Sequence, residues 1–408
     1  MRKQTSFRKK LKQLLDDSIH AGRSLAARHD GALPAYECLL RQVQCRTALL
    51  RPSDRAGDYR NLVNAGLLAL ALHHADWLRP VETWFPTAQK AWPQFTSLAH
   101  HLLAHYPVPP FMTSVWFDLP PGEVLPQHGW YKHFGLGHSI RTAGLPLRFT
   151  KAMAHLFAQA PHHYTAIAAL RWAQVRGLDG SEPLARAVVG TRLGRVLENE
   201  EFWESVLHFF VNHAALDLAE VGPVVDFLQH QKFEWKEGVS PEGVFGKQPP
   251  PRPDYTMKGR TVASLLRQVE EWHKQLGHDT ARRSLAWRPA PFKDFRLIEG
   301  SEALGNMRAW TITELLTSRA LFLEGQAMRH CTATYAERCA HRQTSVWSMQ
   351  LEDQRGRHRV LTIEVDLPKR TICQARRKCN RLPQTTERQV MERWAAQEGL
   401  KVVESVLL

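Results

Sequence analysis

Leu361-Thr362-Ile363-Glu364-Val365-Asp366 alternates apolar and polar side chains, and Thr371-Ile372-Cys373-Gln374-Ala375-Arg376 follows it closely. Side chains on a strand point to opposite faces in turn, so this spacing predicts half-buried β-strands. In the first run Leu361, Ile363 and Val365 share one face, and Thr362, Glu364 and Asp366 share the other. In the second, Cys373 and Ala375 form a small apolar face opposite Ile372, Gln374, Arg376 and Lys378. Upstream, Trp347, Met349 and Leu351 alternate with Ser348 and Gln350. Three strands are expected near 345–351, 359–366 and 371–378, with a shorter one near Leu297-Ile298. A meander of these strands buries one face and displays Ser348, Gln350, Thr362, Glu364, Gln374 and Arg376 on the other.

Helical patterns flank the strands. Thr313 is placed to cap a helix over 314–321, and Pro383 precedes a closing helix over 386–398. Between them, Met328-Arg329-His330-Cys331-Thr332-Ala333-Thr334-Tyr335 is expected on a helix. There Cys331 and Tyr335, four apart, point the same way, as do His330 and Thr334. Residues 295–408 are thus expected to form a small α+β domain with a short antiparallel sheet.

The preceding chain has a different period. Residues 1–237 carry apolar positions at helical spacing, as in Leu11, Leu14, Leu15 and Ile19, or Leu62, Ala65, Leu68, Ala69 and Leu72. Further helices are expected over 91–105, 147–158, 163–175, 182–193, 199–213 and 221–231. Pro107-Val108-Pro109-Pro110 and Gly177-Leu178-Asp179-Gly180 interrupt the pattern. Residues 238–260 are rich in Pro and Gly and are expected as a linker. Residues 261–294 are read as a connecting helix and a mixed segment. The fold class expected is α+β overall, with a mostly α-helical N-terminal region.

Of 408 residues, 43% are hydrophobic, including 13 Trp and 17 Phe, which is ample for buried cores. No apolar run reaches the length of a membrane span, and the basic N-terminus leads into no apolar segment of a secretory signal. A cytoplasmic protein with no membrane association is expected. The net charge of +14 raises affinity for polyanions, so nucleic acid is an expected partner class. Cys38, Cys45, Cys331, Cys339, Cys373 and Cys379 lack the short pairings of zinc knuckles.

Within the strand-rich region His, Cys, Tyr, Glu, Gln and Arg gather within about fifty residues. Three chemistries compete there. In one, Cys331 is a nucleophile assisted by His330 or Glu364; neighbours on a helix point about 100° apart, which makes His330 a poor base for Cys331. In another, His330 acts as acid or base on a phosphodiester, Arg376 stabilises the developing charge, and Glu364 and Gln374 hold a divalent metal or a water. In the third the set is non-catalytic: Cys331 is buried, Tyr335 packs, and Glu364 pairs with Arg376 across adjacent strands.

Leu323-Glu324-Gly325-Gln326-Ala327-Met328-Arg329-His330-Cys331, Tyr335, Ser348, Thr362-Ile363-Glu364-Val365, Gln374-Ala375-Arg376 and Asn380 together resemble the PcfJ-like protein family. The resemblance covers about 295–400. It implies a setting on bacterial plasmids and other mobile DNA, and it adds Tyr335, Ser348, Gln374 and Asn380 as binding candidates. One position departs: the family usually has Gly after the motif arginine, and this chain has Arg377.

Other features have simpler readings. His133-Phe134-Gly135-Leu136-Gly137-His138 lacks the lysine and spacing of phosphate loops and is read as a helix-joining loop. The scattered histidine pairs, among them His73-His74, are read as surface and core residues rather than a metal centre.

Overall fold

The computed structural model describes the chain except residues 1, 51–59, 118–122, 240–244, 283–284, 301–306, 330–331, 379–380 and 403–408. Side chains are likewise undescribed at 2–12, 14, 60–62, 236–239, 245–247, 276–282 and 333–334. The chain divides into two compact units, Met1–Ala173 and Gln174–Leu408.

The first unit is helical. Its elements are α1 (Arg2–Ala26), α2 (Ala32–Arg46), α3 (Arg60–Leu72), α4 (Ala91–Leu103), α5 (Pro126–Gly135), α6 (Lys151–Ala158) and most of α7 (Ala166–Gly177). Trp84, Phe95, Phe111, Trp116 and Phe157 are fully buried in it. Aromatic residues at helical spacing are therefore core, as burial of large apolar area requires. The sequence did not single out α2 or α5. Gly135 ends α5, and Gly137 adopts the left-handed φ of 88° in the turn that follows.

The second unit opens with α8 (Glu182–Val189), α9 (Glu200–Asn212) and α10 (Val221–Lys232). The Ser181 hydroxyl caps α8 by accepting from Leu184 N. A two-stranded hairpin, β1 (Lys236–Val239) and β2 (Phe245–Gln248), and the long α11 (Val262–Arg282) come next. The remainder is β3 (Phe295–Glu299), β4 (Arg308–Glu314), α12 (Ser318–Met328), α13 (Ala336–Ala340), β5 (Thr344–Asp353), β6 (Gly356–Asp366), β7 (Thr371–Arg376), α14 (Thr385–Glu398) and β8 (Lys401–Val402).

Strands β3 to β8 form one six-stranded sheet in sequence order. β3 to β7 are antiparallel neighbours, but β8 lies parallel to β7, so the sheet is mixed rather than antiparallel throughout. Parallel pairing follows from α14, which returns the chain across the sheet between β7 and β8. The apolar face carries Trp310, Ile312, Trp347, Met349, Leu361, Ile363, Ile372 and Ala375 against Val390, Met391 and Trp394 of α14. The rings of Trp347 and Trp394 meet at 4.8 Å between centroids. Burying side chains of this kind contributes roughly 1.5–3 kcal/mol each.

Three local expectations are corrected. Residues 308–314 form β4 rather than entering a helix capped by Thr313; the helix begins at Ser318, and Thr317 caps it by accepting from Ala320 N. β-Branched Thr311, Ile312 and Thr313 around Trp310 favour a pleated strand. The helix expected to run through Tyr335 ends at Met328, where Arg329 takes a left-handed φ of 51°. Tyr335 closes a separate 3-10 turn, Thr332–Tyr335. Finally, a bulge interrupts the β6–β7 ladder: Glu364 pairs with Gln374, but Val365 pairs with Ile372. The extra residue, Cys373, resets the alternation, so Ile372 joins Ala375 in the core instead of facing away from it.

Candidate functional site

The polar face of the sheet is built by two cross-strand rows. Ser348, Thr362 and Arg376 lie opposite one another on β5, β6 and β7, and Val346, Glu364 and Gln374 form the next row. α12, the 3-10 turn and α13 supply further groups to this face, and these fall into two sets.

The first set centres on Glu324 of α12, which is fully buried. Its carboxylate accepts from Arg359 Nε at 2.7 Å and from Thr362 Oγ1 at 2.9 Å, and it also engages the buried Ser348 hydroxyl. Burial pushes the Glu324 carboxyl up, and these three partners oppose the shift. Ser348 is therefore committed to a structural network. Glu324 was not among the site candidates, although its position was readable: Leu321, Glu324, Gly325 and Met328 form the buried stripe of α12 at helical spacing.

The second set centres on Tyr335, Glu364 and Gln374. The Tyr335 hydroxyl donates to Gln374 Oε1 at 3.2 Å. Arg338 of α13 lies over the Tyr335 ring, 5.3 Å from its centroid, and pairs with Glu364 Oε1 at 3.1 Å. Thr344 Oγ1 donates to the same carboxylate oxygen at 3.2 Å. Burial pushes the Tyr335 phenol up, and the Glu364 carboxylate adds to the shift. The expected Glu364–Arg376 pair is replaced by Glu364–Arg338, because the register sets Arg376 opposite Thr362.

Arg376 is the exception on this face. It is 2% exposed. Its Nη1 donates to the carbonyl of Ala375 at 3.0 Å, while its Nε has no partner among the described residues. Burial pushes its pKa down, and the charge of Arg195 pushes it further the same way; Asp226 and Tyr335 act against this. Arg195, just after the 3-10 turn Arg192–Gly194, also has a buried Nε with no partner among the described residues.

Among the described residues the face is placed as the turn ending at Tyr335, the Thr-Ile-Glu strand and the Gln-x-Arg strand. Residues 293–391 match the family model described as PcfJ-like protein. Comparison with curated proteins and with solved structures returned no match. The PcfJ-like segment contains β3 to β7 and both sets of polar contacts; Arg195 lies outside it.

Of the sequence candidates, Tyr335, Glu364 and Gln374 are brought into one connected group, and Ser348 and Arg376 share the adjoining row. His330, Cys331 and Asn380 lie outside the described residues. Among the described residues no group of three His, Cys, Asp or Glu side chains is placed to hold a metal ion, and no helix is long and apolar enough to cross a membrane.

Proposed function

We propose that the PcfJ-like segment binds nucleic acid or a nucleotide at the polar face of its sheet, with Arg376 holding a phosphate oxygen. The observation that carries this reading is the buried Arg376 guanidinium whose Nε lacks an acceptor among the described residues. A buried guanidinium nitrogen without an acceptor costs free energy, and an anionic ligand that accepts from it recovers that cost. The Glu324 set needs no ligand, because its groups satisfy one another. Tyr335 and Gln374 flank Arg376 with one hydroxyl and one amide, groups that orient a phosphate or a base edge. The net charge of +14 and the mobile-DNA setting implied by the resemblance agree with this ligand class. Phosphodiester hydrolysis is the reaction that such a site supports, with Glu364 in the adjoining row and Asp226 as carboxylates near it.

Fluorescence anisotropy at low salt, with labelled single- and double-stranded DNA and RNA and with a labelled ATP analogue, tests the reading. Arg376→Gln is expected to weaken binding about tenfold or more, and Arg376→Lys less, as loss of a charge-assisted hydrogen bond predicts. Circular dichroism confirms folding of both variants. Product analysis with and without divalent metal reports hydrolysis separately. Absence of binding to every probe sinks the proposal.

A further inference from the structure

A second basic feature lies at the end of the sheet, where the ends of β4, β5 and β6 meet the segment after β7 and the first turn of α14. A cavity of about 350 Å³ opens there. Arg308, His358, Arg359, Arg377, Lys378 and Arg381 line it, against only Asp353 and Glu387 as carboxylates. Two of its five permanent cations are already neutralised: Arg359 pairs with Glu324 at 2.7 Å and Arg377 with Glu387 at 3.1 Å. Arg308, Lys378 and Arg381 are exposed and have no ion-pair partner among the described residues. A shallower depression beside it shares His358 and Arg359 and adds Arg357, so the basic lining continues onto the β5–β6 hairpin.

The shape of this charge selects its ligand. Arg308 comes from β4 and Lys378 and Arg381 from the segment after β7, so the free cations reach the cleft from separate segments, which suits repeated charges better than a single small anion. Trp310, the aromatic residue in the lining, is 3% exposed and offers no ring face for base stacking. The start of α14 already holds a negative group, because the Glu387 carboxylate accepts from Gln384 N at 2.7 Å. The free cations therefore carry the attraction.

We propose that this cleft is a groove for the phosphodiester backbone of a nucleic acid, held by Arg308, Lys378 and Arg381 without base-specific contacts. This deepens the functional reading above by naming a polymer as ligand, and it places the polymer on a surface separate from Arg376. Counterion release makes such binding strongly salt-dependent, with a slope of log K against log salt of about −0.9 per phosphate contacted on a duplex.

The test uses the full chain and the triple variant Arg308→Gln, Lys378→Gln, Arg381→Gln. Binding to a 20-base-pair duplex and to single strands of two unrelated sequences is measured across a salt series. The wild type is expected to bind all of them with similar affinity. The triple variant is expected to lose most of that affinity, and its duplex slope to become shallower by roughly 2–3. An unchanged affinity and slope in a folded triple variant overturns the proposal, as does binding to anionic phospholipid vesicles without binding to DNA or RNA. ATP-analogue binding separates the two sites. If the Arg376 reading fails, the wild type ignores the mononucleotide yet still binds oligonucleotides through the cleft. If the cleft proposal fails, mononucleotide binding survives and oligonucleotide binding ignores the triple substitution.

Discussion

Glu324 Oε2 accepts a hydrogen bond from Arg359 Nε at 2.7 Å, joining α12 to β6 across the polar face of the sheet. The carboxylate is buried while the guanidinium is 39% exposed, so the two partners do not depend on the pair equally. Arg359 can return to water if the pair is lost; Glu324 cannot.

Replacing Glu324 with Ala removes the acceptor for the buried hydroxyls of Thr362 and Ser348. A loss of about 2 kcal/mol is expected, read by urea denaturation. The pH dependence has a defined sign. Burial raises the folded-state pKa of Glu324, so its favourable contribution is complete below the unfolded carboxylate range, about 4.3, and diminishes as pH rises through the folded value. The advantage of wild type over Glu324→Gln is therefore larger at pH 4.5 than at pH 8. The opposite trend contradicts the placement of this carboxyl.

His128 in the first unit titrates in the other direction. It stacks on Trp116 at 4.8 Å, meets His73 Nε2 at 3.1 Å, and lies near Lys132; His73 in turn contacts Asp76 at 3.3 Å. Burial, with the charge of His73, pushes its pKa down to about 3. The unfolded imidazole accepts a proton near pH 6.5 that the folded one refuses. Stability contributed by neutral His128 is thus complete above about 6.5 and is lost as pH falls toward 3. The stability difference between wild type and His128→Gln should shrink over that window. An equal difference at pH 7 and pH 4 counts against it.

Thiol reactivity should divide by burial. The Cys339 and Cys373 thiols are each pushed up to about 12, first by burial and then by the Glu364 carboxylate. Cys45 is exposed. Brief iodoacetamide treatment at pH 8, followed by peptide mass spectrometry, is expected to label Cys45 and spare Cys339 and Cys373 until the protein is unfolded. Early labelling of Cys373 would contradict its seat in the β7 bulge.

The core face of the sheet was legible because alternation survives wherever the ladder is regular. Trp347, Met349, Leu361 and Ile363 fall where period two places them. At β7 the same rule placed Gln374 and Arg376 correctly on the polar face but misassigned Ile372, because a one-residue bulge is silent in a hydrophobicity pattern. β4 was missed because its short apolar content resembles a helix start as much as a strand. The α12 terminus was missed because Arg329 in a left-handed turn carries none of the usual signal of glycine or asparagine. Within the site, Glu364 and Gln374 were readable as polar residues on a strand face, whereas Tyr335 was expected on a helix and closes a 3-10 turn. The partners Arg338 and Thr344 were not readable, since each comes from a different element.

By itself the sequence determined the α+β order, the buried sheet face, and the excess of positive charge, because these follow from local periodicity and composition. Tertiary structure alone decided which polar groups are spent on one another and which are left available. Glu324 closes on Arg359 and Thr362, and Glu364 turns to Arg338, while among the described residues the enclosed Arg376 has no partner for its Nε and Arg308, Lys378 and Arg381 have no ion-pair partner along their cleft. Hydrogen-bond satisfaction is a property of distances between segments far apart in the chain, and it exists only once the sheet register and helix docking have been set.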